Sequence, residues 1–289
     1  METMPLLSEM HRVRQPEDMH KLTSAWTQAG NTIALVPTMG ALHAGHLSLI
    51  DLARKQADKV VVSIFINPFQ FGPNESFDAY PRSLSQDESL CMGHGVDALF
   101  VPAAEVIYPD NFSSYIAEDK ISQRLCGASR PQYFKGISTA TVILLNIIQP
   151  KCLILGQKGI QRAAVIQKIV KDLRMPVEVL VAPLVREADG LAMSSRSCRL
   201  QEHQRRDGIK IYEALLQGKR LIDEGVTSPD RVMAEVTHHL AGSPYIRVVH
   251  VSLVSRDTFD PMTTVMPGQG ILAVGAWLDQ ERWVDNILV

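Results

Sequence analysis

The sequence predicts an α/β fold: a doubly wound parallel-sheet domain over residues 1–185, followed by a smaller α+β carboxyl-terminal domain over residues 186–289. Three observations predict it. Up to about residue 182, short apolar runs alternate with segments of helical periodicity, the pattern of successive βαβ units. The run Val60-Val-Val-Ser-Ile-Phe-Ile66 is apolar on both faces, as a strand inside a parallel sheet must be. Beyond residue 200 the order becomes helix, helix, strand, strand, which no longer alternates and reads as a separate α+β unit. Residues 183–189 are the joint between the two.

The elements follow in order. Residues 16–29 place Met19, Leu22 and Trp26 at three- and four-residue steps, a helix packed on the first strand. That strand, 33–36, runs into Pro37-Thr-Met-Gly-Ala-Leu-His-Ala-Gly-His46 and then an amphipathic segment, so the stretch reads as strand, tight turn, helix. Gly40 and Gly45 allow a close backbone approach, and a helix amino terminus offers unpaired N–H groups to an anion such as phosphate. With the helix beginning near Ala44, His43 and His46 both lie on the turn side, where they can contact phosphate oxygens and donate a proton to one. A His pair at a helix start is most often a capping or surface feature. The βαβ setting, whose first turn is the usual nucleotide crevice, favours the functional reading here. The dinucleotide Gly-x-Gly-x-x-Gly fingerprint and the Gly-Lys-Ser/Thr phosphate loop are both absent.

After the strand at 60–66, residues 69–75 form a loop at its carboxyl end, where Gln70, between Phe69 and Phe71, offers a donor and an acceptor to a small hydroxy acid. Ser83 caps a helix running toward Gly93. Asp87 in its first turns is a candidate metal ligand, although favouring the helix dipole is the commoner reason for an acid there. A short strand follows at 97–101. Gly127-Ala-Ser-Arg-Pro-Gln-Tyr-Phe-Lys-Gly136 is glycine-bounded, basic and aromatic, an active-site loop leading into the apolar helix 137–148. The buried strand 152–155 enters a second strand-to-helix turn, Gly156-Gln-Lys-Gly159, in which Lys158 brings a cation to the same rim as the two histidines. The strand 177–181 precedes the joint. Beyond it, Gly190-Leu-Ala-Met-Ser-Ser-Arg196 carries two hydroxyls and a guanidinium suited to a mobile clamp on phosphate. Helices at 201–224 and 228–240 and strands at 246–252 and 271–277 complete the chain.

Composition narrows the function. At 289 residues, 46% hydrophobic and 21% charged, the chain supports a sizeable core and does not resemble a disordered one. A net charge of −2 gives no basic excess to argue for nucleic acid, so a small-molecule partner is favoured. Cys91, Cys126, Cys152 and Cys198 are far apart with no Cys-x-x-Cys pair, indicating neither a zinc knuckle nor a disulfide framework. Residues 1–10 lack the basic-then-apolar pattern of a signal peptide, and no apolar run reaches the ~18 residues of a membrane span. The expectation is a soluble, cytoplasmic protein with no membrane partner.

Seven blocks in register carry a resemblance: Pro37 to His46, Phe65-Ile-Asn-Pro-Phe-Gln-Phe-Gly72, Tyr80-Pro-Arg82, Gly127-Ala-Ser-Arg-Pro131, Gly156-Gln-Lys158, Asp189 to Arg196, and Val284-Asp-Asn286. Together they resemble the pantoate–β-alanine ligase family, and the first contains the His-x-Gly-His signature of the nucleotidyltransferase superfamily. The resemblance implies a homodimer with a Rossmann-like amino-terminal domain and a smaller domain closing over the site. It implies that ATP and pantoate form a pantoyl adenylate, with Mg²⁺ shared among the phosphates, and that β-alanine then attacks the acyl carbon. It assigns ATP to Met39, Gly40, Ala41, Leu42, His43, Ala44, Gly45 and His46, to Gly156, Gln157, Lys158 and Gly159, and to Val185, Met193, Ser194, Ser195 and Arg196. Among these, His46 corresponds to the proton donor, with His43, Lys158 and Arg196 as its catalytic companions. Gln70 and Gln161 correspond to the glutamines that hold pantoate.

The chain also departs from the family pattern. Gln132-Tyr-Phe-Lys-Gly136 stands where Gly-His-Phe-Arg-Gly is usual, and Gly159 where a carboxylate accepts from the adenosine ribose. Ser197 replaces an Asn, and Leu144-Leu145 replaces Lys-Leu. Two further readings accompany the ligase: a diverged paralogue that binds nucleotide or pantoate with little turnover, and a cytidylyltransferase-like enzyme of the same superfamily.

Overall fold

The structure is a computed structural model that describes residues 10–72 and 77–289. Residues 1–9, and the 73–75 end of the loop carrying Gln70, lie outside the described residues.

The described residues open with β1 (His11–Val13) and α1 (Pro16–Gln28), whose first turn holds Pro16, Glu17 and Asp18, residues that suit a helix amino terminus. β2 (Ile33–Thr38), α2 (Ala44–Gln56) and β3 (Lys59–Ile64) form the expected βαβ unit. A 3₁₀ turn at Pro68–Gln70 leads toward α3 (Leu84–Gly93), β4 (Ala98–Phe100) and the short α4 (Ala104–Ile107). A second 3₁₀ turn, Ile121–Gln123, precedes α5 (Tyr133–Ile148). Then come β5 (Cys152–Gly156), a 3₁₀ turn at Gln157–Gly159, α6 (Ile160–Asp172) and β6 (Glu178–Ala182).

The six strands make one parallel sheet in the order β1-β4-β3-β2-β5-β6. The chain builds outward from β2 to one side through β3 and β4, then returns to place β5 on the other. The carboxyl ends of β2 and β5 therefore flank the point where strand order reverses, which is where doubly wound sheets open a crevice. Alternating side chains build two cores. Leu35, Val61, Phe100 and Leu153 face Met19 of α1, Ile137 and Leu144 of α5 and Ile166 of α6, while Val36, Val62, Leu99 and Ile154 face Ile50 and Ala53 of α2.

The carboxyl-terminal domain packs α7 (Glu202–Asp223) and α8 (Pro229–Ala241) on an antiparallel sheet of β7 (Ile246–Ser255), β8 (Gly270–Leu278) and β9 (Glu281–Leu288). β8 is central and buried along almost its whole length, with Leu272, Val274 and Ala276 against Ile211, Leu215, Val232 and Val236. Two strands exceed the sequence expectation. β9 turns the expected pair into three, and β1 adds an edge to the parallel sheet. Phe259, Ile271 and Ala273 join the first core, so the two sheets are packed together and not merely tethered. Among the described residues no helix is long and apolar enough to cross a membrane.

Candidate active site

The turn from β2 to α2 is held by a buried carboxylate. Gly40 and Ala41 have φ values of 79° and 51°, in the left-handed region. This aims the N–H groups of Ala41 and Leu42 at Asp87 of α3, whose oxygens accept them at 2.9 and 2.8 Å. A Cβ on Gly40 would meet Asp87 Oδ2 and Ile64 Cγ2 at 3.0 Å, so glycine is required by both conformation and space. Asp87 is 1% exposed, and among the described residues no three His, Cys, Asp or Glu side chains converge as a metal cluster.

α2 begins at Ala44, the start that puts both histidines on the turn side. His43 is its N-cap: its Nδ1 accepts from Gly45 N–H at 3.2 Å, and His43 N–H donates to Nδ1 of His46 at 3.4 Å, a capping box made of two imidazoles. The rings lie 4.1 Å apart between centroids. Because both Nδ1 atoms accept, the neutral rings carry their protons on Nε2. Burial, then Lys158, pushes the His43 pKa down to about 4; burial, then His43, Arg162 and Lys158, holds His46 well below its ordinary value. Both are neutral at pH 7.

The turn after β5 faces the same crevice. Lys158 Nζ donates to the carbonyl of Met193 at 2.9 Å and lies 4.6 Å from the centre of the Trp283 ring. Burial lowers its pKa to about 7, against the opposing pull of Asp285. Gln157 is tied down on both sides, accepting from Leu184 N–H at 3.3 Å and donating to Asn286 Oδ1 at 3.3 Å. Residues 185–193 double back on themselves, with Met193 N–H donating to the Val185 carbonyl at 3.1 Å. This carries Ser194, Ser195 and Arg196 over the histidine turn, where Ser195 Oγ donates to the Ala41 carbonyl at 2.9 Å. Arg196 Nε lies 3.6 Å from Glu281 Oε2 of β9.

One cleft, enclosing about 1070 Å³ open to solvent, is lined by Met39, His43, Gly45, His46, Gly156 to Gly159, Val185, Met193 and Ser194 to Arg196. Adjoining it, a small, mostly apolar pocket is walled by Phe65, Ile137, Ala140, Leu144 and Leu155, with Thr38, Gln70, Thr141 and Arg162 as polar members. The sequence-predicted residues thus meet in one place, apart from six: Gly40 and Ala41 form the turn behind the lining, Gln161 lines another cavity, and Leu42, Ala44 and Asp87 stand off the cleft. Asp87 lies behind the turn. Ala44 is exposed and Leu42 is buried in the core against α2.

Gln161 lines a third cavity, under the carboxyl-terminal sheet, but its amide is committed elsewhere. Its Oε1 accepts from Cys126 N–H at 3.1 Å, and its Nε2 donates to the Ile121 and Arg124 carbonyls at 2.8 and 2.5 Å. Its neighbour Arg162, which sequence reasoning passed over, borders all three cavities. A polar residue flanked by buried Gln161 and Ala163 on one helix was the available signal, but only the helix phase decides which of them faces the ligand space.

A parallel sheet with two strand-to-helix turns opening on one cleft at its switch point, roofed by a small antiparallel domain, defines a Rossmann-like enzyme fold. The model of the family described as pantoate-beta-alanine ligase matches residues 11–288, and the chain belongs to that family. It is 43% identical over 266 residues to the pantothenate synthetase of Moorella thermoacetica, covering 92% of this chain and 94% of that one. It is 39% identical over 280 residues to that of Thermosipho africanus, covering 97% and 100%. Its structure superposes on the pantothenate synthetase of Thermus thermophilus with a TM-score of 0.90 at 33% identity, over 96% of this chain and 99% of that one. The pantoate-beta-alanine ligase of Francisella tularensis, complexed with beta-gamma ATP and beta-alanine, superposes with a TM-score of 0.80 at 30% identity, over 97% and 98%.

Proposed function

We propose that the chain joins pantoate to β-alanine using ATP, through a pantoyl adenylate, with release of pyrophosphate and AMP. The observation that carries this reading is the adjacency of a polar cleft built for phosphates and a small apolar pocket, which share Pro37, Thr38, Met39, Gln70 and Arg162. A nucleotide and a branched aliphatic acid side by side are what carboxylate activation needs.

In the first step a pantoate carboxylate oxygen attacks the α-phosphorus, and the bond from that phosphorus to the bridging oxygen breaks as pyrophosphate leaves. Charge builds on phosphoryl oxygens, and the chain meets it with Nε2–H donors of His43 and His46, with Lys158, and with Ser194, Ser195 and Arg196. In the second step the β-alanine amine attacks the acyl carbon, AMP departs, and the surplus ammonium proton passes to solvent. Asp87 is better suited to pinning the turn than to binding metal, since its oxygens already accept from Ala41 and Leu42. No protein carboxylate cradle for Mg²⁺ is therefore assigned, and Mg²⁺ enters this reading only as an ion carried by the triphosphate. The reading also takes the protein as a cytoplasmic homodimer with its domain boundary at 185/186; sedimentation and limited proteolysis test the second and third of these.

Isotope exchange between pyrophosphate and ATP tests the chemistry. The expected exchange requires pantoate, proceeds without β-alanine, and fails when CTP replaces ATP. Product formation with no exchange would remove the free adenylate, and absence of both would sink the reading.

A further inference from the structure

Among the described residues, Arg162 is a cation without a paired counter-charge at the place where the cavities of the site meet. It lines the nucleotide cleft with His46, the apolar pocket with Phe65 and Gln70, and the cavity under the carboxyl-terminal sheet with Arg282. Among those residues its Nε is buried with no hydrogen-bond partner, and it joins no ion pair. A guanidinium is always charged and only donates, so leaving it unmatched in a partly buried site is unfavourable. An anionic ligand group would complete it.

Gly159 makes the room for this group. A Cβ there would lie 3.3 Å from Nε, 3.5 Å from Nη2 and 3.6 Å from Cζ of Arg162. The φ of Gly159 is −94°, which any residue adopts, so the glycine serves the neighbouring guanidinium and not the backbone. A carboxylate at position 159 would pair with Arg162 and withdraw its charge from the ligand space.

We propose that Arg162 is a specificity-determining residue for the acid substrate, gripping its carboxylate at the mouth of the apolar pocket and aiming it at the α-phosphate. The proposal rests on the acid-activating reading above. The apolar walls accept the branched body of the acid, and the donor fork of a guanidinium matches a carboxylate in one plane. Because Arg162 also borders the nucleotide cleft, its charge offsets the repulsion between carboxylate and phosphate as the two anions close.

Titration calorimetry on the full chain, using pantoate and its uncharged lactone as probes, separates charge recognition from packing. Arg162→Met is expected to weaken pantoate by about tenfold or more while lactone binding stays within about twofold, and Arg162→Lys is expected to recover part of the loss. Gly159→Asp is expected to weaken pantoate as well, by pairing with Arg162. Equal weakening of acid and lactone in Arg162→Met, or no change in either, overturns the proposal. So does a rise in the KM for ATP alone, or failure of the unaltered protein to bind pantoate with or without a non-hydrolysable ATP analogue. If pantoate binds but supports no pyrophosphate exchange, the assigned reaction fails while the charge-specific loss still decides the role of Arg162.

Discussion

His43 and His46 are kept neutral chiefly by burial, and the hydrogen bonds that cap α2 set their tautomer, so they offer Nε2–H to a phosphate without giving up a proton. The group poised to change charge is Lys158. With a pKa of about 7 it is mostly neutral at pH 8, and an arriving triphosphate favours its charged form. ATP binding at about pH 8 should therefore take up close to one proton, fading toward pH 6 where Lys158 is already charged. Calorimetry in two buffers of different ionisation enthalpy measures this uptake, and Lys158→Met should abolish it; an equal uptake in that variant would assign the proton elsewhere. At this scale the sequence was legible where residues lie in a tight turn, as with His43, His46 and Lys158. It was not legible on a helix face. Gln161 and Arg162 are adjacent polar residues about 100° apart around α6, and burial of Ala163, Val165 and Ile166 turns Gln161 onto the 121–126 backbone and leaves Arg162 to the cavities. The same neighbour bears on Gly159, which read as a lost ribose contact and also lies against a guanidinium.

Elements were predicted wherever local chemistry alone fixes them. The apolar runs of β2 and β3 and the glycine-flanked start of α2 emerge as expected, because a buried parallel strand and a capped helix need no distant partner to declare themselves. β9 was missed for the opposite reason. Its Asp285 and Asn286 put two polar side chains inside the strand, and only the fold supplies Arg186 for the one and Gln157 for the other. β1 is three residues long and declares itself only by register with Ala98–Phe100. The β2–α2 turn depends on a third element, α3, through Asp87. Asp87→Ala should orphan two turn N–H groups and destabilise the protein by about 2–4 kcal/mol, whereas Asp87→Asn, keeping one acceptor, should cost roughly half as much. Both variants should raise the KM for ATP, since the turn that presents His43 and His46 loosens. Urea denaturation beside steady-state kinetics checks the pair, and a full loss of ATP affinity with unchanged stability would instead point to direct ligation by Asp87.

Across the whole molecule, the site exists because the antiparallel domain is fastened to the parallel sheet at the crevice. The shared core of Phe259, Ile271 and Ala273 supplies burial, and β9 supplies the polar fastening: Arg186 grips Asp285 with bonds of 2.7 and 2.9 Å, and Asn286 Nδ2 donates to the Gln157 carbonyl at 3.0 Å. Arg186 also stacks 3.6 Å from the centre of the Tyr212 ring, so its removal has a packing part and a charge part. The two differ in pH dependence. Burial already raises the Asp285 pKa, with Arg186 opposing the rise, so Arg186→Met raises it further. A carboxyl whose folded pKa exceeds its unfolded value binds more protons when folded, hence stability falls as pH climbs between the two values. The variant should lose about 3–5 kcal/mol at neutral pH, where Asp285 would be buried and uncompensated. The deficit should shrink toward pH 4 as protonation of Asp285 removes the need for a partner. Thermal unfolding of both proteins across that range measures the difference. A deficit that stays constant with pH would assign the loss to the Tyr212 contact, and would mean that packing, with little help from the ion pair, holds the two sheets together over the site.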